Sequence, residues 1–161
     1  MNAIQFEIKN KVAYITLNRP EKFNSFNRDM ALLMQAHLDE CADVADVRCV
    51  YITGAGKAFS AGQDISELTG DNKIEIKQIL SEHYNPIVKR IRNLPKPVVA
   101  AINGVAAGAG ANIALCCDVV VATASASFIQ ALACFVFFLQ WGYNVPKEFA
   151  LSQFYHHPPV H

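Results

Sequence analysis

Two stretches decide the fold: Lys57 to Leu68, KAFSAGQDISEL, and Lys96 to Phe128, KPVVAAINGVAAGAGANIALCCDVVVATASASF. The first comes after Val47 to Gly54, an apolar run of strand type that ends on a glycine. Small residues then make a turn (Ser60, Ala61, Gly62). A helix signal begins at Asp64, with Glu67 three residues on as a capping partner. The second stretch repeats the plan: Val98 to Ile102 suits a buried strand, Gly104 ends it, and Gly108-Ala109-Gly110 turns the chain into the segment Ala111 to Cys116.

A strand that runs into a helix leaves backbone amides unpaired at the helix start, where the dipole favours negative charge. With the two junctions face to face, the amides of Ala61 and Ala109 could converge on one carbonyl oxygen. That arrangement is an oxyanion hole.

Composition narrows the class. In 161 residues, 52% are hydrophobic and 17% charged, which is the balance of a soluble globular domain. Lys+Arg and Asp+Glu both number 14, so no net field draws the chain to nucleic acid or to anionic lipid. The five cysteines (Cys41, Cys49, Cys116, Cys117, Cys134) form no C-x-x-C pair and read as reduced thiols of a cytoplasmic protein. The N-terminal stretch is charged throughout and matches neither a signal peptide nor a membrane anchor.

Along the chain, Ile4 to Ile8 and Val12 to Leu17 alternate and meet at Asn10-Lys11, which reads as a hairpin. Asn18-Arg19-Pro20 ends the second strand. A helix from about Asn27 is predicted by Met30, Leu33, Met34, Leu38 and Cys41. Gly70-Asp71-Asn72 reads as a loop, and Lys73 to Leu94 as an amphipathic helix that Pro86 should kink or divide. Strand and helix alternate in the manner of an α/β domain with parallel or mixed sheets. From Ala131 to His161 that pattern stops, and Leu132 to Leu139 is apolar without helical period, too short to span a bilayer.

Taken in order, Asn18-Arg19-Pro20 with Asn24, Ala58 to Ile65, Lys96-Pro97, Asn103-Gly104, Gly108 to Gly110 and Cys117-Asp118 resemble the enoyl-CoA hydratase/isomerase (crotonase) family. The resemblance implies a crotonase-like core of repeated ββα units over residues 1–130. It implies an acyl-CoA thioester as substrate, with coenzyme A part of that substrate and no separate cofactor. Its carbonyl oxygen would lie between the amides of Ala61 and Ala109. Lys22 and Phe23 would sit near the CoA nucleotide, and Ser60, Gln63, Asp64 and Ile65 along the adenine and pantetheine path. The family also implies a homotrimer, and fatty-acid or phenylacetate breakdown as the setting.

The departures are equally specific. Family hydratases carry a glutamate where this chain has Asn112, and an amide cannot exchange a proton near neutral pH. An isomerase-type reaction is therefore favoured over hydration. Family isomerases place a carboxylate in a glycine-rich turn after the segment matched by Ser127 to Gln130. No such turn comes after it here, and the general acid/base is unknown. Residues 131–161 are read as a frameshifted or otherwise altered end, without the family's C-terminal helical part.

Two other classes compete. The run Gly108-x-Gly110 after a strand is reminiscent of a dinucleotide fingerprint, but Ile113 stands where the third glycine belongs. Gly54 to Lys57 lacks the spacing of a P-loop. A catalytically inactive acyl-CoA-binding fragment is the alternative that keeps the amides without the acid. Asp64 reads as a cap, Glu67, Glu82 and His83 as solvated residues, and His156, His157 and His161 as no metal site, because no partner ligand stands at the right spacing.

Overall fold

The computed structural model describes residues 2–69 and 73–129. The expectations for Gly70 to Asn72 and for residues 131–161, with their histidines, fall outside the described residues.

The N-terminal hairpin forms as its alternation predicts. Strands β1 (Ile4–Lys9) and β2 (Val12–Leu17) pair antiparallel with Lys9 opposite Val12. Asn10 and Lys11 make the two-residue turn, both at positive φ (51° and 66°), which is the twist such hairpins need. Among the described residues every later pairing is parallel. Strands β3 (Cys49–Gly54), β5 (Val98–Ile102) and β7 (Val119–Ala122) extend the sheet in the order β1-β2-β3-β5-β7. A second, wholly parallel sheet is built from β4 (Ala58–Ser60), β6 (Val105–Ala107) and β8 (Ser127–Ile129). Each main-sheet strand from β3 on thus leads into a short strand of the second sheet, and the first two such pairs lead on into helix. This is the repeated ββα unit that the family resemblance implies.

Helix α1 (Arg28–Asp43) crosses from β2 to β3. Asn27 caps it, its side chain accepting from the Met30 amide at 3.0 Å. Met30, Met34, Leu38 and Cys41 are fully buried along one stripe, at about 2 kcal/mol for each large side chain. At the other end Lys96 donates to the carbonyl oxygens of Cys41 (2.6 Å) and Val44 (2.8 Å), satisfying acceptors that the helix itself cannot.

The amphipathic segment is shorter than predicted and divided differently. It runs as α2 (Ile76–Ile79), a π-helical turn Leu80–Tyr84 and α3 (Asn85–Asn93). The irregularity lies just before Pro86, which sits in the first turn of α3. There its missing N–H removes less than it would further inside a regular helix. The π turn winds in an extra residue, so the adjacent His83 and Tyr84 are both buried.

Candidate active site

The first junction departs from its sequence reading. Asp64 does cap, one carboxylate oxygen accepting from the Ser66 amide (3.1 Å) and hydroxyl (2.7 Å), but the capped segment is a single 3-10 turn, Ile65–Leu68. Glu67 does not close a capping box. Its carboxylate accepts instead from the Arg28 amide (2.7 Å) and the Gln63 side chain (2.8 Å), which pulls the turn toward α1.

The Ala61 amide is not available. It donates to the Phe23 carbonyl at 2.9 Å, inside the fold. In a regular strand residues 61 and 63 would aim their N–H groups the same way. Gly62, at φ 92°, breaks that alternation. Beyond it, Phe26 makes a parallel bridge with Gln63: the Phe26 amide donates to the Gly62 carbonyl (2.7 Å), and the Asp64 amide donates to the Phe26 carbonyl (2.8 Å). A parallel bridge of this kind uses both polar groups of Phe26 and the neighbours of Gln63. The N–H of Gln63 therefore points away from Phe26, toward the other flank.

The second junction lies against Gly62, the residue before Gln63. Helix α4 (Gly108–Leu115) begins directly after β6 with Ala107 as its N-cap and no side-chain capping bond, so the amides of its first turn have no intrahelical acceptor. Ala109 is among them. The two junctions are in contact: a Cβ placed on Gly62 would lie 2.9 Å from the Ala107 carbonyl oxygen and 3.2 Å from the Ala109 nitrogen. Likewise a Cβ on Gly110 would meet Ser60 at 2.6 Å. Glycines at 62 and 110 let the two backbones meet at this distance. The amide of the first bend left outside these bonds, next to the residue that meets Ala109, is thus that of Gln63 rather than Ala61. The only sequence signal for it was Gly62, since a glycine at positive φ reverses which amides face which way.

The remaining candidates divide into two groups. Lys22 is exposed at the end of a 3-10 turn (Pro20–Lys22), Phe23 comes next at 56% exposure, and Ile65 stands 69% exposed beyond Asp64. These three are open to solvent. Ser60 and Asp64 are not. Ser60 is fully buried, its hydroxyl donating to the Asn24 carbonyl (2.8 Å) and accepting from the Gly62 amide (3.2 Å). Asp64 is buried with its second oxygen on Arg19 (2.8 Å). Both serve the loop rather than its surface, because a buried polar group must spend its hydrogen bonds inside.

The side chain of Gln63 spans to the helical segment. Its Oε1 accepts from the Tyr84 hydroxyl at 2.8 Å and its Nε2 donates to Glu67. His83, expected in solvent, is 1% exposed, and its Nε2 has no partner. Burial lowers its pKa from the ordinary value, with Glu67 and Glu82 opposing and Arg28 reinforcing the shift. Burial likewise raises Cys41 to about 11 and pushes Cys116 and Cys117 up, so these thiols stay protonated at neutral pH. Among the described residues no group of three or more metal-ligating side chains occurs. A cavity of about 720 Å³ lies beside the start of α1, lined by Asn18, Arg19, Asp29 and Leu33 among others, and includes neither Gln63 nor Ala109.

A model of the enoyl-CoA hydratase/isomerase family matches residues 7–142. The chain belongs to the enoyl-CoA hydratase/isomerase family. The 1,2-epoxyphenylacetyl-CoA isomerase of Escherichia coli is 42% identical over 140 residues, 83% of this chain and 52% of that protein. A short-chain-enoyl-CoA hydratase of Clostridium acetobutylicum is 41% identical over 133 residues, 81% of this chain and 50% of that protein. Among solved structures, an enoyl-CoA hydratase/carnithine racemase from Magnetospirillum magneticum superposes with a TM-score of 0.75 at 30% identity, covering 84% of this chain and 51% of that one. The chain spans about half the length of the curated relatives it matches.

Several residues that carry the family resemblance prove to be hydrogen-bond staples. Asn24 accepts from the Arg19 amide and donates to the carbonyls of Ala55 and Ala58. Asn103 accepts from the Gly54 amide and donates to Gly56, and Asp118 accepts from the Val98 amide. They tie this chain's loops to its sheets.

Proposed function

We propose that this chain binds an acyl-CoA thioester and stabilises negative charge on its carbonyl oxygen with the main-chain N–H groups of Gln63 and Ala109. The observation that carries the reading is the Gln63 amide left outside the Phe26 bridge, with its neighbour Gly62 packed against the uncapped start of α4. Donors of this kind act on charge that develops in the transition state, at about 3 kcal/mol each. Lys22 offers charge to a CoA phosphate, and Phe23 and Ile65 offer apolar contact along the same loop.

Within the family we infer an isomerase-type reaction rather than hydration. Asn112 lies three residues beyond Ala109 on α4, hence on the same helix face, and it has no proton to exchange near neutral pH. The same absence of an acid at position 112 supports a second reading, an acyl-CoA binder without turnover.

Two measurements separate these. Retention on an immobilised-CoA matrix together with conversion of epoxyphenylacetyl-CoA supports the isomerase. Retention with no conversion of either this substrate or an enoyl-CoA supports the binder, and failure to bind any acyl-CoA defeats both. The free cysteines among the described residues fit a cytoplasmic setting, and light scattering on the purified chain tests the homotrimer that the family implies.

A further inference from the structure

Gln63 is held from two sides. Its backbone is fixed by Phe26, through the Gly62 carbonyl and the Asp64 amide. Its side chain is fixed by a chain of bonds whose polarity admits one arrangement. An ionised carboxylate only accepts, so Glu67 must face the amide NH₂ of Gln63; the amide oxygen then faces Tyr84, whose hydroxyl must donate. Glu67 is itself pinned by the Arg28 amide at the start of α1. Tyr84 reaches this position because the π turn directs it inward, and its ring lies 6.0 Å from that of Phe26. One aromatic pair thus supports both the backbone and the side chain of residue 63.

We propose that Tyr84 is a positioning residue: by holding the Gln63 side chain against Glu67, its hydroxyl keeps the Gln63 main-chain N–H steady in the direction that the Phe26 bridge gives it. Glu67 is the second half of the same clamp. The consequence for chemistry rests on the thioester reading above, whereas the effect on the amide itself does not. A donor aimed in advance needs no reorganisation when charge appears, and a loosened one loses that advantage.

The test uses Tyr84→Phe, which removes one oxygen and keeps the ring. Two signals are read in the full chain. The first is the ¹⁵N order parameter of the Gln63 N–H by NMR, expected to fall from a rigid value of about 0.85 toward about 0.6 as the local tether is lost. The second is the carbonyl stretch of bound crotonyl-CoA labelled with ¹³C at the thioester carbon. The wild-type chain is expected to lower that stretch on binding. Tyr84→Phe should lose about half of the lowering or more while crotonyl-CoA still binds within about threefold, and Glu67→Ala, which removes the other half of the clamp, should do the same. An unchanged Gln63 order parameter in Tyr84→Phe overturns the positioning role whether or not a thioester binds. A lowered order parameter with an unchanged carbonyl stretch confines Tyr84 to packing and overturns its role in aiming the donor. Should the wild-type chain bind crotonyl-CoA without any lowering, the thioester reading fails while the order parameter still decides for or against the clamp.

Discussion

Arg19 Nη2 lies 2.8 Å from Asp64 Oδ2, joining the loop after β2 to the turn after β4 across 45 positions of sequence. The same guanidinium donates to the Ser25 carbonyl at 2.6 Å. Burial works to raise the Asp64 carboxyl, but the Ser66 hydroxyl, the Arg19 guanidinium and the Ser66 amide together outweigh it and hold the pKa below its ordinary value of 3.8. A depressed carboxylate stabilises the fold above its unfolded pKa, and that stability is lost as pH falls below about 4 and through the folded value. Asp64→Asn should therefore lower the urea midpoint at pH 7 and show a shallower acid limb below pH 4. An acid limb that parallels the wild type would contradict the pairing.

His83 has the opposite charge logic. Its folded pKa lies below 6.5 because burial opposes the imidazolium, against Glu67 and Glu82 and with Arg28. As pH drops through 6.5 the unfolded chain takes up a proton that the folded chain refuses, so stability contributed by neutral His83 is present above 6.5 and declines below it. We expect His83→Phe to flatten the fall in denaturation midpoint between pH 7 and pH 5. Direct NMR titration of the imidazole should place its midpoint under 6.5, and a value above that would refute the account.

Asn24 is fully buried at φ 54°, and its side chain satisfies three backbone groups at 2.8–2.9 Å. Asn24→Ala leaves the Arg19 amide and the carbonyls of Ala55 and Ala58 without it, and should cost about 3 kcal/mol. Asn24→Asp should not rescue, because a carboxylate cannot donate to those two carbonyls. Chemical denaturation of both variants checks this, and a loss under about 0.5 kcal/mol in either would count against the staple.

Ala109 allows a direct test of the proposed donor. Proline is tolerated in the first turn of a helix, where it removes only an N–H without an intrahelical acceptor. Ala109→Pro should keep α4 and the far-UV circular dichroism while reducing turnover of an acyl-CoA substrate by about 10² or more. Full activity in a folded Ala109→Pro chain would remove this amide from the mechanism.

Local features were read from sequence where local physics controls them. The Asn10-Lys11 hairpin, the Asn27 start of α1 and its buried stripe, and the alternation of strand and helix all stem from periodicity and turn chemistry acting over a few residues. Misreadings arose where a distant partner intervened. Glu67 stood at capping-box spacing from Asp64 but was claimed by Arg28 and Gln63, leaving one 3-10 turn in place of a helix. His83 and Glu82 are neighbours in a polar stretch, yet the π turn buried the first and left the second on the surface with Arg28.

The sequence by itself determined the alternation of strand and helix and the two glycine-flanked bends, which depend on contacts between near neighbours, and its ordered motifs carried the resemblance that implied the family and its ββα plan. Which amide of the first bend stays unpaired was decided only in the tertiary structure. Phe23 takes the N–H of Ala61 and Phe26 holds the residues on either side of Gln63. The bond made by a given backbone N–H depends on the loop that folds against it from far along the chain, and no local pattern of side chains records that choice.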